Sequence, residues 1–167
     1  MERVLVIGCP GAGKSTLSKN LADELQLPLI HLDQINWVDD HATISKNEFD
    51  IVLDKVLKES FWIIDGNYNR TLEKRIQYAD TVIWLDFPRW ICLYRVLKRA
   101  VSGKLTNTHK YGNPNTIEKG FLTFIWKFNS NNRPIIQQIL HKYPDKYLDI
   151  LRKPSQVSRY KEKIKIG

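Results

Sequence analysis

The chain alternates short apolar runs with longer amphipathic stretches, a pattern typical of a parallel α/β fold. The first run, residues 4–7, is continuous and β-branched, as expected for a strand buried on both faces of a sheet. Four further runs follow at residues 29–32, 61–64, 81–85 and 147–151. We therefore predict five strands of a parallel sheet.

The stretches between these strands carry the end signals of helices. One helix is predicted from Ser15, with leucines at positions 17, 21 and 25 on one face. Ser45 and Glu48 form a capping-box pattern that opens the next. Two prolines fit the first turns of helices over residues 88–101 and 133–143, and a short closing helix is predicted over residues 155–164.

A polar segment separates the last two regions of the predicted fold. Residues 103–116 are rich in Gly, Asn, Pro, Thr and Lys, and the aromatic-rich residues 117–129 follow them. The spacing of these aromatics favours core packing over a wall against a ligand. We predict one domain, residues 1–167, with a lid-like segment at about residues 103–132.

Composition places the chain among ordinary globular proteins. Its 167 residues are 43% hydrophobic and 26% charged, enough to bury a core. No apolar run reaches the ~18 residues of a membrane span, and the apolar start is too short for a signal peptide. Cys9 and Cys92 give neither a disulfide framework nor metal-ligand spacing. We expect a cytoplasmic protein with reduced thiols and no membrane partner.

Charge is divided unevenly along the chain. Residues 1–85 hold nine basic and 13 acidic residues, whereas residues 86–167 hold 17 basic and five acidic. A basic half is typical of a protein that binds polyanions, either nucleotide phosphates or nucleic acid. A solvated lysine surface produces the same count, so charge alone leaves all three interpretations open.

A phosphate-binding loop follows the first predicted strand. Residues 8–15, GCPGAGKS, match the pattern G-x-x-x-x-G-K-[ST]. The glycines let backbone N–H groups face a phosphate, and the helix that follows adds its positive N-terminal end. We expect Lys14 to reach the β- and γ-phosphates of ATP and the Ser15 hydroxyl to ligate Mg²⁺. We expect Cys9, inside this loop, to be a small filler residue.

Carboxylates follow two of the predicted strands. Ligands of open α/β sheets lie at this edge, which draws attention to Asp33 after residues 29–32 and to Asp65 after residues 61–64. Asp33 is a candidate to orient or deprotonate an acceptor, and Asp65 to orient Mg²⁺ through water. A turn or helix cap uses the same residue type, so a structural role stays open for both. His31 fits a structural histidine better than a ligand.

Other candidates lie at the edge of the same cleft. Arg95 and Arg99 share one face of the predicted helix at 88–101, and two guanidinium groups suit a phosphoryl group that develops charge during transfer. The alternative is a solvated basic helix face. Trp37 and Tyr68 stand in connections and are candidates for ligand contact.

Together these motifs resemble the adenylate-kinase-type branch of the phosphate-loop kinases. The similarity rests on the phosphate loop, on Asp65-Gly66, and on Asp86-Phe87-Pro88 followed by the two arginines. It implies a three-layer P-loop NTPase fold, with a five-stranded parallel sheet in the order 2-3-1-4-5, helices on both faces and a lid insertion. It implies ATP and Mg²⁺ as cofactors, with the loop after the fifth strand contacting adenine.

Under this resemblance the site residues fall into groups. The catalytic residues are expected to be Lys14, Asp33, Arg95 and Arg99. The nucleotide is expected to contact Gly8, Pro10, Gly11, Ala12, Gly13, Lys14, Ser15, Thr16, Arg95 and Pro154. The acceptor is expected to contact Asp33, Trp37, Asp65, Gly66, Tyr68 and Arg70, and Mg²⁺ to contact Ser15 and Asp65.

The acceptor side departs from adenylate kinases. Their Thr-Gly-Asp segment after strand two is His31-Leu32-Asp33 here, and their Asp-Gly-Phe-Pro-Arg becomes DGNYNR at residues 65–70. The identity of the acceptor, AMP included, therefore stays open. The chain is more similar to a bacterial family labelled DNA topology modulation protein, a label that implies no particular chemistry. This similarity rests on His31-Leu32-Asp33 with Trp37, on DGNY at residues 65–68, on LDFPRW at residues 85–90 and on the late Trp126-Lys127-Phe128.

Two functions stay open on the sequence. The first, which we favour, is an ATP-dependent kinase that phosphorylates a small-molecule acceptor, such as a nucleotide or a nucleoside. The second is a nucleotide-gated DNA-binding regulator whose basic half contacts duplex phosphates. No helix-turn-helix or zinc-finger signature accompanies the positive charge, which counts against the second. Neither the acceptor nor the oligomeric state follows from the sequence.

Overall fold

Five parallel strands form one sheet in the order β2-β3-β1-β4-β5. The computed structural model describes residues 1–38, 42–101 and 119–166. Its strands are β1 (Arg3–Gly8), β2 (Leu29–His31), β3 (Trp62–Asp65), β4 (Thr81–Leu85) and β5 (Tyr147–Leu151). The predicted α/β fold class and the order of its strands are confirmed.

Helices connect the strands and cover both faces of the sheet. They are α1 (Lys14–Leu25), α2 (Leu32–Asn36), α3 (Lys46–Leu57), α4 (Asn69–Tyr78), α5 (Arg89–Val101), α6 (Lys119–His141) and α7 (Pro154–Ile166). The chain crosses from β1 to β2 in one direction and from β3 to β4 in the other, so right-handed connections place α1 and α4 on opposite faces. Helix α1 packs against α7, while α4 and α5 pack against α6. None of the described helices is long and apolar enough to cross a membrane.

The strand register gathers the carboxyl ends of the strands at one edge of the sheet. Asp65 at the end of β3 pairs with Val6 of β1 on one side and with His31 of β2 on the other. Gly8, where the phosphate loop begins, pairs with Leu85 of β4. The candidate residues that follow β1, β2 and β3 are therefore neighbours in space.

The end of β2 differs from the sequence prediction. The strand stops at His31, and Asp33 lies in the first turn of the short helix α2 rather than after an extended strand. Leu32 is fully buried, and a Cβ on Gly66 would lie 2.9 Å from the Leu32 Cβ. Because Gly66 has no side chain, α2 can turn directly onto the end of β3.

Helix α6 begins earlier than the sequence predicted. It starts at residue 119 and contains Pro134 in its interior, where the pyrrolidine ring removes a backbone hydrogen bond. Buried side chains on both sides of the proline, including Ile125, Phe128 and Ile136, hold the helix together through tertiary packing. Residues 119–132 of the predicted lid-like segment therefore belong to this helix, and residues 103–118 lie outside the described residues.

Helix α4 was missed by the sequence interpretation. Its buried apolar face consists mainly of Leu72 and Ile76, which is too short a pattern to stand out between β3 and β4. The third large buried side chain of this helix is Arg75, a residue type that normally marks an exposed position.

Candidate functional site

The phosphate loop lies between β1 and α1, against helix α5. Gly11 has a φ of 85°, and a Cβ at this position would collide with the carbonyl oxygen of Cys92. Only glycine therefore allows the loop both its left-handed conformation and its close approach to α5. Cys9 and Cys92 are buried free thiols in hydrogen-bond contact, and this contact together with burial raises the pKa of Cys9. A protonated, buried Cys9 is consistent with a filler role.

The loop leads into a helix whose N-terminal end suits an anion. Helix α1 begins at Lys14, with Gly13 in the left-handed region at φ 99° and with no side-chain cap. Its first turn contains no acidic residue. Lys14 Nζ lies 3.4 Å from the Cys9 carbonyl oxygen, so the ammonium group folds back over the loop. Backbone dipoles and the lysine charge together form a site for phosphate.

The remaining loop residues predicted to contact the nucleotide are positioned by the same turn. Ala12 is buried, Pro10 and Ser15 are half-buried, and Thr16 is exposed on the first turn of α1. The Gly8 N–H donates to Asn67 Oδ1 at 3.0 Å. This bond ties the start of the loop to the connection after β3, a contact that sequence reasoning did not anticipate.

Asp33 lies beside the phosphate loop and accepts a hydrogen bond from Tyr68. The Tyr68 hydroxyl donates to Asp33 Oδ1 at 2.9 Å. Burial raises the pKa of Asp33 above its ordinary value, while the Tyr68 hydrogen bond and the charge of Lys14 oppose that rise. Burial is the largest cause that raises the pKa of the Tyr68 hydroxyl, and the charge of Asp33 is the next. The hydroxyl therefore keeps its proton and stays a hydrogen-bond donor. The structure thus brings three predicted site residues together, Lys14, Asp33 and Tyr68.

His31 and Asp65 form a buried pair beside Asp33. His31 Nδ1 lies 3.0 Å from Asp65 Oδ2, and the two side chains are 7% and 5% exposed. Asp65 Oδ1 is buried and has no hydrogen-bond partner among the described residues. One oxygen of Asp65 is thus left for a further ligand. Within the described part of the chain, no three His, Cys, Asp or Glu side chains cluster as a metal site.

One of the two predicted arginines of α5 reaches the phosphate loop from the other side. Arg95 Nη1 donates to the Ala12 carbonyl oxygen at 2.9 Å, and its guanidinium lies 5.3 Å from the centre of the Phe87 ring. Burial and then the neighbouring charge of Arg95 lower the pKa of Arg99. Two cations held this close to one another would both gain from an anion between them.

The connection from β3 to α4 is held by an arginine that the sequence did not single out. Arg75 donates from Nη1 to the Gly66 carbonyl oxygen at 2.8 Å and from Nη2 to the carbonyl oxygens of Asn67 and Tyr68. No motif marks Arg75, because its partners are backbone carbonyl oxygens four to nine residues away.

Two other predicted site residues make contacts outside this group of side chains. Arg70 is exposed, pairs with Asp50 at 2.7 Å and stacks over the Phe49 ring. Trp37 is half-buried and forms an isolated antiparallel bridge with Thr43.

At the end of β4 and β5 the structure adds an ion pair. Arg133 of α6 donates to both carboxylate oxygens of Asp86, whose side chain is 6% exposed. Pro154 is exposed at the start of α7, and the Gln156 side chain accepts from the backbone N–H groups of Arg152 and Lys153 just before it.

Comparison with known proteins places this site in a family. The model of the ATPase family associated with various cellular activities (AAA) matches residues 4–163, nearly the whole chain. The chain belongs to the AAA family. Membership of this P-loop family implies nucleotide binding at the loop described above. No curated protein sequence matches the chain.

Solved structures share the fold of this AAA family member. Shikimate kinase from Acinetobacter baumannii, solved in complex with shikimate, has a TM-score of 0.64 at 14% identity, covering 98% of this chain and 90% of that one. Shikimate kinase from Bacteroides thetaiotaomicron has a TM-score of 0.62 at 17% identity, covering 99% and 96%. At these identities the likeness shows a P-loop kinase-like fold and leaves the substrate open.

Proposed function

We propose that this protein is an ATP-dependent kinase that transfers a phosphoryl group to the hydroxyl of a small molecule. The observation that carries the proposal is the meeting of the phosphate loop with Asp33. Lys14 lies close enough to Asp33 for its charge to oppose the rise in the pKa of that carboxyl. A phosphate-binding cation and a candidate base thus share one cleft, as transfer between a nucleotide and an acceptor requires.

The residues of the phosphate loop and of helix α1 fit a nucleoside triphosphate. The glycine loop, the uncapped start of α1 and the Lys14 ammonium favour an anion at this position. ATP would supply the phosphoryl group, and Mg²⁺ would offset the charge of its phosphates. Ser15 and the Oδ1 of Asp65, which has no hydrogen-bond partner among the described residues, would hold the metal, directly or through water. Pro154 and the backbone beside it would contact adenine.

Arg95 and Arg99 would stabilise the charge that develops during transfer. Burial, and then the charge of Arg95, lower the pKa of Arg99, so both guanidinium groups would gain when a phosphate lies between them. Arg95 would also stabilise the phosphate loop, because it donates a hydrogen bond to the Ala12 carbonyl oxygen. We therefore expect Arg99 to act in turnover and Arg95 to act in both turnover and nucleotide affinity.

Asp33 would take the proton of the acceptor hydroxyl. The oxygen then bonds to the γ-phosphorus as the bond from that phosphorus to the β–γ bridging oxygen breaks, and ADP leaves with that electron pair. A carboxyl whose pKa is raised by burial is a stronger base than an exposed aspartate. Tyr68 orients it, while Trp37 and Gly66 line the same connections and would border the acceptor.

We propose that the narrower relationship is to adenylate-kinase-like proteins, and within them to the bacterial family labelled DNA topology modulation protein. Its support is the sequence at residues 31–37, 65–68, 85–90 and 126–128. The shikimate complex of one structural neighbour adds a cyclic hydroxy acid to the acceptors worth testing.

A screen of acceptors tests this function. Nucleosides, nucleoside monophosphates, shikimate and simple sugars are incubated with ATP and Mg²⁺, and ADP release is followed with a coupled assay. We expect one class to raise turnover at least tenfold in the wild type and not in Lys14→Ala. Release that rises with duplex DNA and with none of the small molecules would support the DNA-binding function and refute the kinase.

A further inference from the structure

We propose that Arg75 is a positioning residue for the site, because its guanidinium fixes the turn that holds both Asn67 against the phosphate loop and Tyr68 against Asp33. The turn consists of Gly66, Asn67 and Tyr68, and Arg75 donates to the carbonyl oxygen of each. This inference rests on the proposed kinase function, which gives the two contacts their use.

The placement of Arg75 is not explained by space filling. Its side chain is fully buried, and among the described residues its hydrogen bonds go to backbone carbonyl groups rather than to a carboxylate. Burial of a charge without an ion-pair partner is costly, and an apolar side chain would fill the same volume more cheaply. The planar fork of the guanidinium, in contrast, matches several carbonyl oxygens at once.

The turn needs such a clamp because its last residue is strained. Tyr68 has φ 31° and ψ 71°, in the left-handed region that a bulky side chain rarely adopts. Such a conformation persists only where the surroundings determine it, and it is frequent at functional sites. The contacts that hold it include two hydrogen bonds to the Tyr68 carbonyl oxygen, from Arg75 at 3.0 Å and from the Thr71 N–H at 2.9 Å. The Tyr68 ring also stacks on Phe49, with 5.2 Å between centroids.

The two side chains of this turn point to the two halves of the site. Asn67 Oδ1 accepts from the Gly8 N–H at the start of the phosphate loop, and the Tyr68 hydroxyl donates to Asp33. Loss of the clamp would let both contacts shift together. Because misplacement by about 1 Å can cost ~10²-fold in rate, a residue that touches no substrate can still control turnover.

The test measures the contact itself before it measures activity. Asp33 is faced by Tyr68, Lys14, His31 and Asp65, and the Tyr68 hydrogen bond is the one that lowers its pKa most. Carboxyl ¹³C NMR titration of Asp33 in Tyr68→Phe should give a pKa above that of the wild type. Arg75→Lys loses the fork of donors, and Arg75→Gln loses the charge as well. A rise in the pKa of Asp33 that both variants share therefore reports on geometry rather than on charge.

Four results are expected of a positioning residue. Arg75→Lys raises the pKa of Asp33, as Tyr68→Phe does. The double variant shows no further rise, because both changes remove the same contact, the hydrogen bond from Tyr68 to Asp33. With an acceptor from the screen, kcat falls about 10²-fold in Arg75→Lys, with a smaller change in KM for ATP. Lys74→Gln, on the exposed side of the same helix, changes neither quantity.

Other outcomes overturn the proposal. The pKa of Asp33 could be unchanged in Arg75→Lys although it is raised in Tyr68→Phe. That result would show that Arg75 does not position Tyr68. Arg75→Gln is made in parallel, because an amide is cheaper to bury than an ammonium group. If neither variant folds, Arg75 maintains the fold rather than the site. Absence of acceptor turnover in the wild type refutes the kinase alone, because the NMR comparison needs no acceptor.

Discussion

Tyr68 donates a 2.9 Å hydrogen bond to Asp33, joining the connection after β3 to the first turn of α2. The bond matters because burial raises the pKa of Asp33, and a partner that donates to its charged form limits that rise. The carboxyl is thus held in one place beside the phosphate loop, with a pKa above its ordinary value. Its position and its titration are separate properties, and each can be tested.

Asp33→Asn should separate turnover from nucleotide binding. We expect acceptor phosphorylation to fall by at least ~10²-fold, within the range of general-base groups, while the stabilisation by ATP survives. Steady-state kinetics and thermal unfolding measure the two effects. Asp23→Asn, an exposed change of the same kind on α1, serves as the control. Full activity in Asp33→Asn would contradict the proposed role of this residue.

The same variant should also gain stability in a pH-dependent way. Because the pKa of Asp33 is raised on folding, its ionised form costs stability at pH values above that pKa. Asparagine carries no charge to bury, so the Tm of Asp33→Asn should exceed that of the wild type at neutral pH. The difference should shrink as pH falls through the raised pKa. A constant difference from pH 4 to pH 8 would count against a buried, titrating Asp33.

Lys14→Ala should remove most of the stabilisation by nucleotide. About 1 mM ATP with Mg²⁺ is expected to raise the Tm of the wild type by several degrees, because only the folded loop binds it. Lys14 lies over the loop, whereas Lys19 is exposed farther along α1, so Lys19→Ala should retain the full shift. Equal shifts in both variants would place the nucleotide elsewhere.

Arg95→Ala and Arg99→Ala should differ in what they lose. Each should lower kcat by ~10²–10⁴-fold, since both serve charge that develops late in transfer. Arg95→Ala should in addition weaken ATP binding, because it removes the bond to the Ala12 carbonyl that braces the loop. Titration calorimetry with ATP and single-turnover kinetics compare the variants with Lys98→Ala on the exposed face of α5. Equal ATP affinity in both arginine variants would argue against the brace.

Arg133→Ala should destabilise the fold. Asp86 is 6% exposed and accepts three hydrogen bonds from Arg133 through its two carboxylate oxygens. Removal of the arginine leaves this buried charge with the more distant Arg152 as its partner. We expect the free energy of unfolding to fall by ~1–3 kcal/mol in urea titrations. Lys142→Ala breaks the exposed pair with Glu73 and should cost only about 0–1 kcal/mol. Similar losses in the two variants would contradict the distinction.

Local chemistry let the sequence predict much of the fold and the position of the phosphate loop. The phosphate loop is a contiguous motif whose glycines and lysine act within eight residues, so it can be identified without knowledge of the fold. The capping box at Ser45 and Glu48 is local in the same way and is present. The sequence did not predict helix α4, because Leu72 and Ile76 give too few apolar positions for a recognisable pattern. It predicted a start for α6 that is too late, because Pro134 is unfavourable in the interior of a helix.

Tertiary structure decided which side chains the site uses. Asp33 meets Tyr68 only because parallel strands β2 and β3 are neighbours, and Asn67 meets Gly8 only because β3 pairs with β1. Arg70 was expected from its motif to contact the acceptor, and in the structure it pairs with Asp50. Arg75 belongs to no motif, and its buried guanidinium donates to the backbone of the turn after β3. Such contacts depend on burial and on backbone carbonyl positions. A sequence determines both only through the complete fold, because the atoms involved are distant along the chain or belong to the backbone.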